Sequence, residues 1–292
     1  MFDQLGLIGC GLMGGSFALA LKRAGLVKRV VGYSKSPSTT ERARQMGVID
    51  VEASSALLAV SGSDLVLVAV PVAATEATLK AIRHLITPGM LVMDVGSTKC
   101  DVVEAARRAL RDQVGSFVPA HPIAGKERAG VSNADPDLYT GRQVILTPIE
   151  RTLTAQLQKA STLWKKLGCN VLTMSPEAHD ATYAAVSHLP HLLAFAYMNG
   201  LASQPRSDDF LDLAGPGFRD FTRIAASDPK VWRDILLSNK DELARQCTAF
   251  RNALQAMEAM IAGGDSAALE QAIAQASAAR GPWQMASTKP DL

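Results

Sequence analysis

The stretch L-G-L-I-G-C-G-L-M-G, residues 5–14 of a 292-residue chain, decides the fold. A short apolar run ends in a glycine-rich turn, and the turn opens a helix, which is the order of a βα dinucleotide-binding unit. Gly9 permits the tight turn, Gly11 lets the backbone approach a pyrophosphate, and Gly14 lets the helix pack near the strand. The alternative is a glycine-rich turn without a ligand, but strand, turn and helix follow here in the right order.

The N–H groups that open this helix, at Leu12 and Met13, face the phosphates in a unit of this kind. The helix dipole favours negative charge at the same place. The segment therefore predicts a nucleotide-binding site at the start of the chain.

The composition gives no reason to expect a nucleic-acid or membrane partner. The formal net charge is +2, and no uninterrupted apolar run reaches the roughly 20 residues that a membrane span needs. The sequence enters a strand at once, without a signal peptide, so we expect a cytoplasmic protein. Scattered cysteines without a C-x-x-C pair argue against a zinc site or a disulfide framework: Cys10, Cys100, Cys169 and Cys247.

The end of the second predicted strand, Arg29–Tyr33, bears on the choice of cofactor. In an NAD-binding fold, an Asp or Glu commonly ends this strand and holds the ribose 2′-hydroxyl. Here Ser34 occupies the position, Lys35 follows, and Arg42 lies further on. A carboxylate would repel a 2′-phosphate, whereas a hydroxyl beside a cation would hold one, so we expect NADP in preference to NAD. The alternative is that Lys35 is a solvated loop charge.

Strands alternate with helices over residues 1–173, which predicts an α/β domain with a doubly wound, mostly parallel sheet of the Rossmann type. After the second strand, the predicted strands are Asp64–Val70, Met90–Val95, Phe117–Ala120, Gln143–Thr147 and Asn170–Thr173.

Residues 174–292 contain no further strand pattern and are predicted to form an all-α domain. The segment His188–Leu201 is apolar almost all round, which is typical of a buried helix and often of one between subunits. A long helix is predicted from about Lys230 to Gly263, and a last one to about Arg280.

Three motifs follow predicted strands at the carboxyl edge of the sheet, where open α/β sheets bind their ligands. They are Val70-Pro71, which we assign to the cofactor, then Gly96-Ser97-Thr98-Lys99 and His121-Pro122-Ile123-Ala124-Gly125. In the loop after its strand, a neutral His121 can accept a proton from a substrate hydroxyl while hydride leaves the same carbon. A structural histidine in a Pro-containing turn explains His121 equally well. Ser97 either hydrogen-bonds that imidazole or the substrate, or caps the following helix.

Arg219 and Arg223 lie four residues apart, on one face of a predicted helix. Two guanidinium groups there suggest recognition of a carboxylate. From the residues alone, however, we expect a pair of surface arginines, one of them bridged to Asp220.

The other histidines do not predict a metal site. His188 and His191 are neighbours on a helix, but no Cys or carboxylate joins them at ligand spacing. His84 and His179 fit ordinary surface positions.

Together these segments resemble the prephenate/arogenate dehydrogenase family of tyrosine biosynthesis, and the resemblance runs through nearly the whole chain. The opening G-L-I-G-C-G-L-M-G-G-S is generic to dehydrogenases, whereas the later motifs, taken in this order, are specific. Those are D-V-G-S-T-K (94–99), H-P-I-A-G-K-E (121–127), S-H-L-P-H (187–191) and G-F-R-D-F-T-R-I-A-x-S-D-P-x-x-W (217–232).

The resemblance implies a role for each matched residue. His121 corresponds to the catalytic histidine that accepts the proton of the ring 4-hydroxyl, and Ser97 to the serine that orders it. Arg223 corresponds to the arginine that pairs with a substrate carboxylate. His191 and Glu127 correspond to residues of the substrate pocket.

The resemblance also implies an NAD(P)-dependent oxidative decarboxylation of prephenate to 4-hydroxyphenylpyruvate, without a metal, by a homodimer formed through the helical domain. Arogenate differs only in its side-chain amino group and is open as a second substrate. His188 is expected to be structural. Lys126 stands where many relatives have a threonine, so this chain departs from the family pattern at that end of the pocket. The length leaves no room for a fused mutase or regulatory domain, so we expect one activity.

Two other functions compete with this one. A β-hydroxyacid dehydrogenase shares the G-x-G-x-M-G turn, but its catalytic lysine lies in a G-x-x-x-K-x-x-x-N context that Lys240 lacks. The other is a non-catalytic redox sensor that binds NADP, which the presence of both a candidate base and a candidate carboxylate clamp disfavours.

Overall fold

A computed structural model describes residues 1–126 and 128–284. Its first part is a parallel sheet of six strands in the order β3-β2-β1-β4-β5-β6, with helices on both faces. The strands are β1 (Phe2–Ile8), β2 (Val27–Tyr33), β3 (Val51–Glu52), β4 (Leu65–Val68), β5 (Leu91–Asp94) and β6 (Phe117–Val118). The helices among them are α1 (Leu12–Arg23), α2 (Pro37–Gln45), α3 (Ala56–Val60), α4 (Thr75–Ile82) and α5 (Cys100–Leu110). This confirms the doubly wound Rossmann-type sheet.

The central strands are buried on both faces, as their nearly continuous apolar sequences require. In β4, Leu65 and Leu67 belong to the core on one side of the sheet, whereas Val66 and Val68 belong to the core on the other. Because side chains alternate along a strand, each central strand thereby joins two helical layers.

A second, three-stranded sheet follows, which alternation alone did not predict as a separate unit. It consists of β7 (Ala120–Pro122), β8 (Gln143–Leu146) and β9 (Asn170–Thr173), with β7 antiparallel to β8, and α6 (Thr154–Lys166) precedes β9. The single strand expected over 117–120 is divided between the two sheets at Pro119, which has no N–H group to continue a ladder. His121 therefore lies within β7, paired with Ile145, and not in a loop after the strand.

After β9, every element of the described chain is helical. The helices are α7 (Pro176–Tyr183), α8 (Leu189–Ala202), α9 (Ser207–Asp212), α10 (Pro216–Thr222), α11 (Pro229–Ser238), α12 (Lys240–Ala262) and α13 (Ser266–Arg280), and a single π-helical turn, Ala184–His188, joins α7 to α8. The long helix predicted from about Lys230 is divided into α11 and α12 at Asn239. The Asn239 side chain is buried and bonds the Asp180 carbonyl and the His188 ring.

The apolar helix α8 is not enclosed by its own chain. In the described structure, Ala194 is its only buried residue, and Tyr197 remains about half exposed. Among residues 1–126 and 128–284, no helix combines the length and apolar character needed to cross a membrane.

Candidate active site

The glycine-rich turn has the geometry that a dinucleotide needs. Gly9 has φ +99°, and a Cβ there would lie 2.1 Å from the Ala69 carbonyl oxygen. A Cβ on Gly14 would lie 2.1 Å from the Gly9 carbonyl oxygen, so helix α1 can approach β1 only because Gly14 has no side chain. At Gly11 a Cβ would meet no described atom within 4 Å, which leaves open space in front of the helix. The residues present therefore fit a pyrophosphate at the start of α1.

The first-turn N–H groups of α1, those of Leu12 and Met13 included, receive no side-chain cap from the described residues, and no acidic residue lies in that turn. Unsatisfied donors and the positive end of the helix dipole then point to the same open space. This is what an anionic ligand requires.

Beside the turn, Ser34 follows β2, and its Oγ accepts a hydrogen bond from the Cys10 N–H at 2.8 Å. Lys35 is exposed. Val70 and Pro71 follow β4, half-buried and exposed respectively, and Pro71 begins a 3₁₀ turn. All four lie at the carboxyl ends of parallel strands that flank β1.

His121 faces α7, where it meets a second histidine. His121 Nδ1 lies 2.8 Å from His179 Nε2, and the His121 ring also packs edge-on against Tyr183, with centroids 4.9 Å apart. His179 and Tyr183 lie one helical turn apart on α7, so the same face of that helix supplies both contacts.

His179 is fully buried, so the prediction that it lies at the surface is wrong. Its Nδ1 lies 2.8 Å from Asp180 Oδ1. The same carboxylate accepts the N–H of Lys99 at 2.8 Å and the N–H of Cys100 at 2.9 Å, at the N-terminal end of α5. The alternative in which Ser97 caps this helix is therefore wrong, because the Asp180 carboxylate, from another helix, accepts these N–H groups. The available sequence signal was His179, one helical turn before the aromatic residue Tyr183 on the same face of α7, with a carboxylate next to it.

A buried ion pair secures the strand that carries His121. Lys99 Nζ lies 2.6 Å from Asp94 Oδ2 and donates to the Ala120 carbonyl at 2.8 Å. Asp94 Oδ1 accepts the Ala120 N–H at 3.0 Å, and Asp94 Oδ2 accepts the Gly96 N–H at 2.8 Å. Both backbone groups of Ala120 are thus tied to this pair, so the residue before His121 cannot shift without breaking buried charge-assisted hydrogen bonds.

The electrostatic environment keeps the site histidines neutral at pH 7. Burial lowers the pKa of His121 well below its usual value, and the nearby His179 and Lys99 add to the shift. Burial likewise lowers the pKa of His188 to about 4. A neutral imidazole has one nitrogen lone pair, which is what a general base requires.

The next part of the site is aromatic. His191 stacks on Trp232 with centroids 3.5 Å apart and planes 19° from parallel. His191 Nδ1 donates to the Ser187 carbonyl at 2.9 Å, which leaves Nε2 as the acceptor nitrogen. Burial lowers the pKa of His191, the bond to Ser187 opposes this, and the charge of Arg223 adds to the lowering. The charge of Arg223 is therefore felt at the His191 ring.

The remaining predicted residues are placed less tightly. Ser97 is half-buried in the loop after β5. Arg219 is exposed, and its Nε donates to Asp220 Oδ1 at 3.1 Å. This is the pairing expected if Arg219 is a surface arginine. Glu127 lies outside the described residues. In the described part of the chain, no three His, Cys, Asp or Glu side chains are grouped as metal ligands would be.

Known proteins match the chain from its first strands to its last helices. The family model of the prephenate dehydrogenase nucleotide-binding domain matches residues 17–173, and that of the prephenate dehydrogenase dimerization domain matches residues 175–275. The chain is 38% identical to prephenate dehydrogenase of Bacillus subtilis over 248 residues, which cover 83% of this chain and 66% of that protein. It is 33% identical to cyclohexadienyl dehydrogenase of Zymomonas mobilis over 268 residues, which cover 91% of this chain and 90% of that protein.

The fold matches as well. The crystal structure of prephenate dehydrogenase from Aquifex aeolicus in complex with hydroxyphenyl propionate and NAD+ superposes with a TM-score of 0.89 at 35% identity, and the match covers 96% of this chain and 98% of that one. The sequence motifs, the two-part fold and these matches agree, and the chain belongs to the prephenate dehydrogenase family.

Proposed function

We propose that this protein oxidises and decarboxylates prephenate to 4-hydroxyphenylpyruvate, with His121 as the general base. The observation that carries the proposal is the partly buried, neutral His121 ring, whose Nδ1 is engaged by His179 at 2.8 Å and whose strand is secured by Lys99 and Asp94. Arogenate carries the same ring and enters the test as a second substrate.

In this reaction His121 takes the proton of the ring 4-hydroxyl at its Nε2 as the alcohol carbon loses hydride. A bound nicotinamide dinucleotide supplies the hydride acceptor. The new ketone draws electrons from the ring, the bond to the ring carboxylate breaks and carbon dioxide leaves. The proton held by His121 then returns to the oxygen, which ends as the phenol, so protons and electrons balance. Ser97 orients His121 and the hydroxyl.

Substrate binding is assigned to charged and aromatic residues of the helical part. Arg223 and His191 are assigned to one substrate carboxylate, which the electrostatic effect of Arg223 on His191 supports, and stacking on Trp232 holds the His191 ring. Arg219 and Glu127 are assigned to the same pocket. At Arg219 a substrate carboxylate would have to compete with Asp220.

The cofactor is proposed to be a nicotinamide dinucleotide, bound by Gly9, Gly11, Leu12, Met13 and Gly14. The open space at Gly11 and the uncapped start of α1 support this. NAD+ is the dinucleotide present with the A. aeolicus relative.

For this chain we propose a preference for NADP. A hydroxyl at Ser34 and the exposed cation of Lys35 replace the carboxylate that would repel a 2′-phosphate. Val70 and Pro71 are assigned to the same cofactor from the neighbouring strand β4.

The two parts of the chain are proposed to have different functions. Residues 1–173 bind the dinucleotide, and residues 174–292 bind substrate and a second copy of the chain. The unenclosed apolar helix α8 supports a homodimer. So does a stripe of exposed apolar residues on one face of α12, formed by Leu254, Met257 and Ile261.

The test is a steady-state assay of prephenate and arogenate, each with NAD and with NADP, on the wild-type chain and on His121→Asn. We expect reduction of the dinucleotide with prephenate by the wild type alone. Binding of NADPH without oxidation of either substrate would support the redox sensor instead. Oxidation of 3-hydroxyisobutyrate would support a β-hydroxyacid dehydrogenase.

A further inference from the structure

The protonation states of His121, His179 and Asp180 follow from one another. Burial opposes the charge of Asp180, but hydrogen bonds from His179 and from the N–H groups of Cys100 and Lys99 hold its pKa below the usual value. An ionised carboxylate can only accept, so His179 Nδ1 must carry a proton.

A neutral His179 then has its lone pair on Nε2. Because His179 Nε2 accepts, His121 Nδ1 must be the donor in the 2.8 Å contact between the two rings. The lone pair of His121 is consequently confined to Nε2. The chain of hydrogen bonds thus selects one tautomer of the proposed base.

We propose that His179 and Asp180 are positioning residues for His121, in that they fix its reactive tautomer and share the charge that it acquires. When His121 Nε2 takes a proton, its Nδ1 proton moves towards His179 Nε2, and the carboxylate of Asp180 stabilises the resulting positive charge. The proton returns by the same route, so no other reactant is needed. This inference rests on the proposed role of His121.

His179 and Asp180 are suited to this task because contacts with other elements fix the positions of both side chains. Asp180 is bound to the first N–H groups of α5, and the Asp180 carbonyl accepts from the buried Asn239 side chain at 2.8 Å. His179 is fully buried, and its ring lies 4.5 Å from that of Tyr183, centroid to centroid. A polar pair of this kind orients an imidazole better than water would, because neither partner can rotate away.

The Asp180 carboxylate also connects helix α7 to the loop after β5. It joins the start of α5, and hence the loop that carries Ser97, to the histidine that contacts the base. In Asp180→Asn, an N–H₂ group would face N–H donors that the carboxylate now accepts. If that N–H₂ group turned towards His179, it would donate to Nδ1, and His179 and then His121 would be forced into the opposite tautomer.

The test compares Asp180→Asn, His179→Phe and His179→Gln with the wild type. Asp180→Asn and His179→Phe should each lower kcat by about 10²-fold or more, while KM for prephenate and for the dinucleotide changes by less than about threefold. His179→Gln keeps an acceptor near His121 Nδ1 and should recover a measurable part of that loss. The matched control is Ser175→Ala, which removes the N-cap of the same helix, a 3.1 Å bond to the Ala178 N–H, and should lower Tm but not kcat.

A second measurement does not depend on turnover. In the ¹⁵N-histidine-labelled chain, the nitrogen shifts should place the His121 proton on Nδ1 in the wild type and on Nε2 in Asp180→Asn, with spectra otherwise showing a folded protein. His121 protonated on Nε2 in the wild type would overturn the inference.

Kinetics separate this inference from the proposed function. If His121→Asn is inactive but Asp180→Asn and His179→Phe keep wild-type kcat, the positioning role is refuted and the base remains. If His121→Asn itself retains full activity, the proposed function loses its base.

Discussion

His121 Nδ1 lies 2.8 Å from His179 Nε2, although the two residues are 58 positions apart in the sequence. One belongs to a short strand and the other to the first helix of the helical part. The contact therefore joins the two halves of the chain at the residue that we propose as the base. Burial is the main cause of the lowered pKa of His121, and His179 from the helical part adds to the shift.

Replacing His121 by Asn removes the proposed base but keeps a polar side chain of similar size. We expect turnover of prephenate to fall by at least ~10²-fold with binding nearly unchanged, because general-base catalysis typically contributes 10²- to 10⁴-fold. Steady-state kcat and a fluorescence titration of the dinucleotide measure the two quantities. Unchanged turnover would remove His121 from its role.

Arg223→Ala should act mainly on substrate binding. Loss of a charge-assisted hydrogen bond to a carboxylate costs about 1.5–3 kcal/mol, so KM for prephenate should rise about 10- to 100-fold. Arg206→Ala is the control, since Arg206 is an exposed arginine paired with Asp209. A wild-type KM in the Arg223 variant would contradict the assignment.

The cofactor preference is tested at the end of β2. Ser34→Asp keeps an acceptor for the Cys10 N–H but adds a negative charge where a 2′-phosphate is expected. We expect kcat/KM to favour NADP in the wild type and NAD in the variant. Ser61→Asp, which adds the same charge at an exposed position, should leave the preference as it was. A wild type that strongly prefers NAD would refute the reading of Ser34 and Lys35.

His188 makes stability depend on pH. Its pKa is about 4 in the folded chain and about 6.5 in the unfolded chain, so the unfolded state binds the proton first as pH falls. The contribution of neutral His188 to the free energy of unfolding is complete above about pH 6.5 and is lost progressively towards about pH 4.

Between pH 7 and pH 5, His188 alone should lower the free energy of unfolding by about 2 kcal/mol. In His188→Asn, which keeps an acceptor for Asn239, that part of the pH dependence should disappear. Urea unfolding at the two pH values measures it. An identical pH dependence in both proteins would show that His188 is not the titrating group.

Self-association is tested on the apolar stripe of α12. Leu254→Glu with Ile261→Glu places two charges on that stripe, and burying them in an interface would be costly, so we expect a monomer in sedimentation velocity. Asn252→Glu with Gln255→Glu adds the same charge on other faces of the helix and should leave the dimer intact. A monomeric wild type, or a dimeric stripe variant, would contradict the proposal.

Much of this architecture was predictable because its signals are local. The glycine positions in the opening turn, the nearly continuous apolar runs of β4 and β5 and the change to helical periodicity after Thr173 each lie within a short stretch. Such patterns indicate strands, turns and helices directly, since backbone geometry and alternation of side chains act between near neighbours. Where a single residue broke the pattern, as at Pro119 and Asn239, the predicted element was too long.

The residues around His121 were only partly predictable. Its position after an apolar strand and the motif that contains Lys99 were visible, but the partners His179 and Asp180 were not, because an isolated histidine in a sequence looks the same whether it is solvated or buried. The amino-acid sequence alone determined the Rossmann-type unit, the helical part and the motifs of the family. Only the tertiary structure decided which imidazole meets which, because burial and hydrogen bonding between residues far apart in the chain exist only after both halves have packed together.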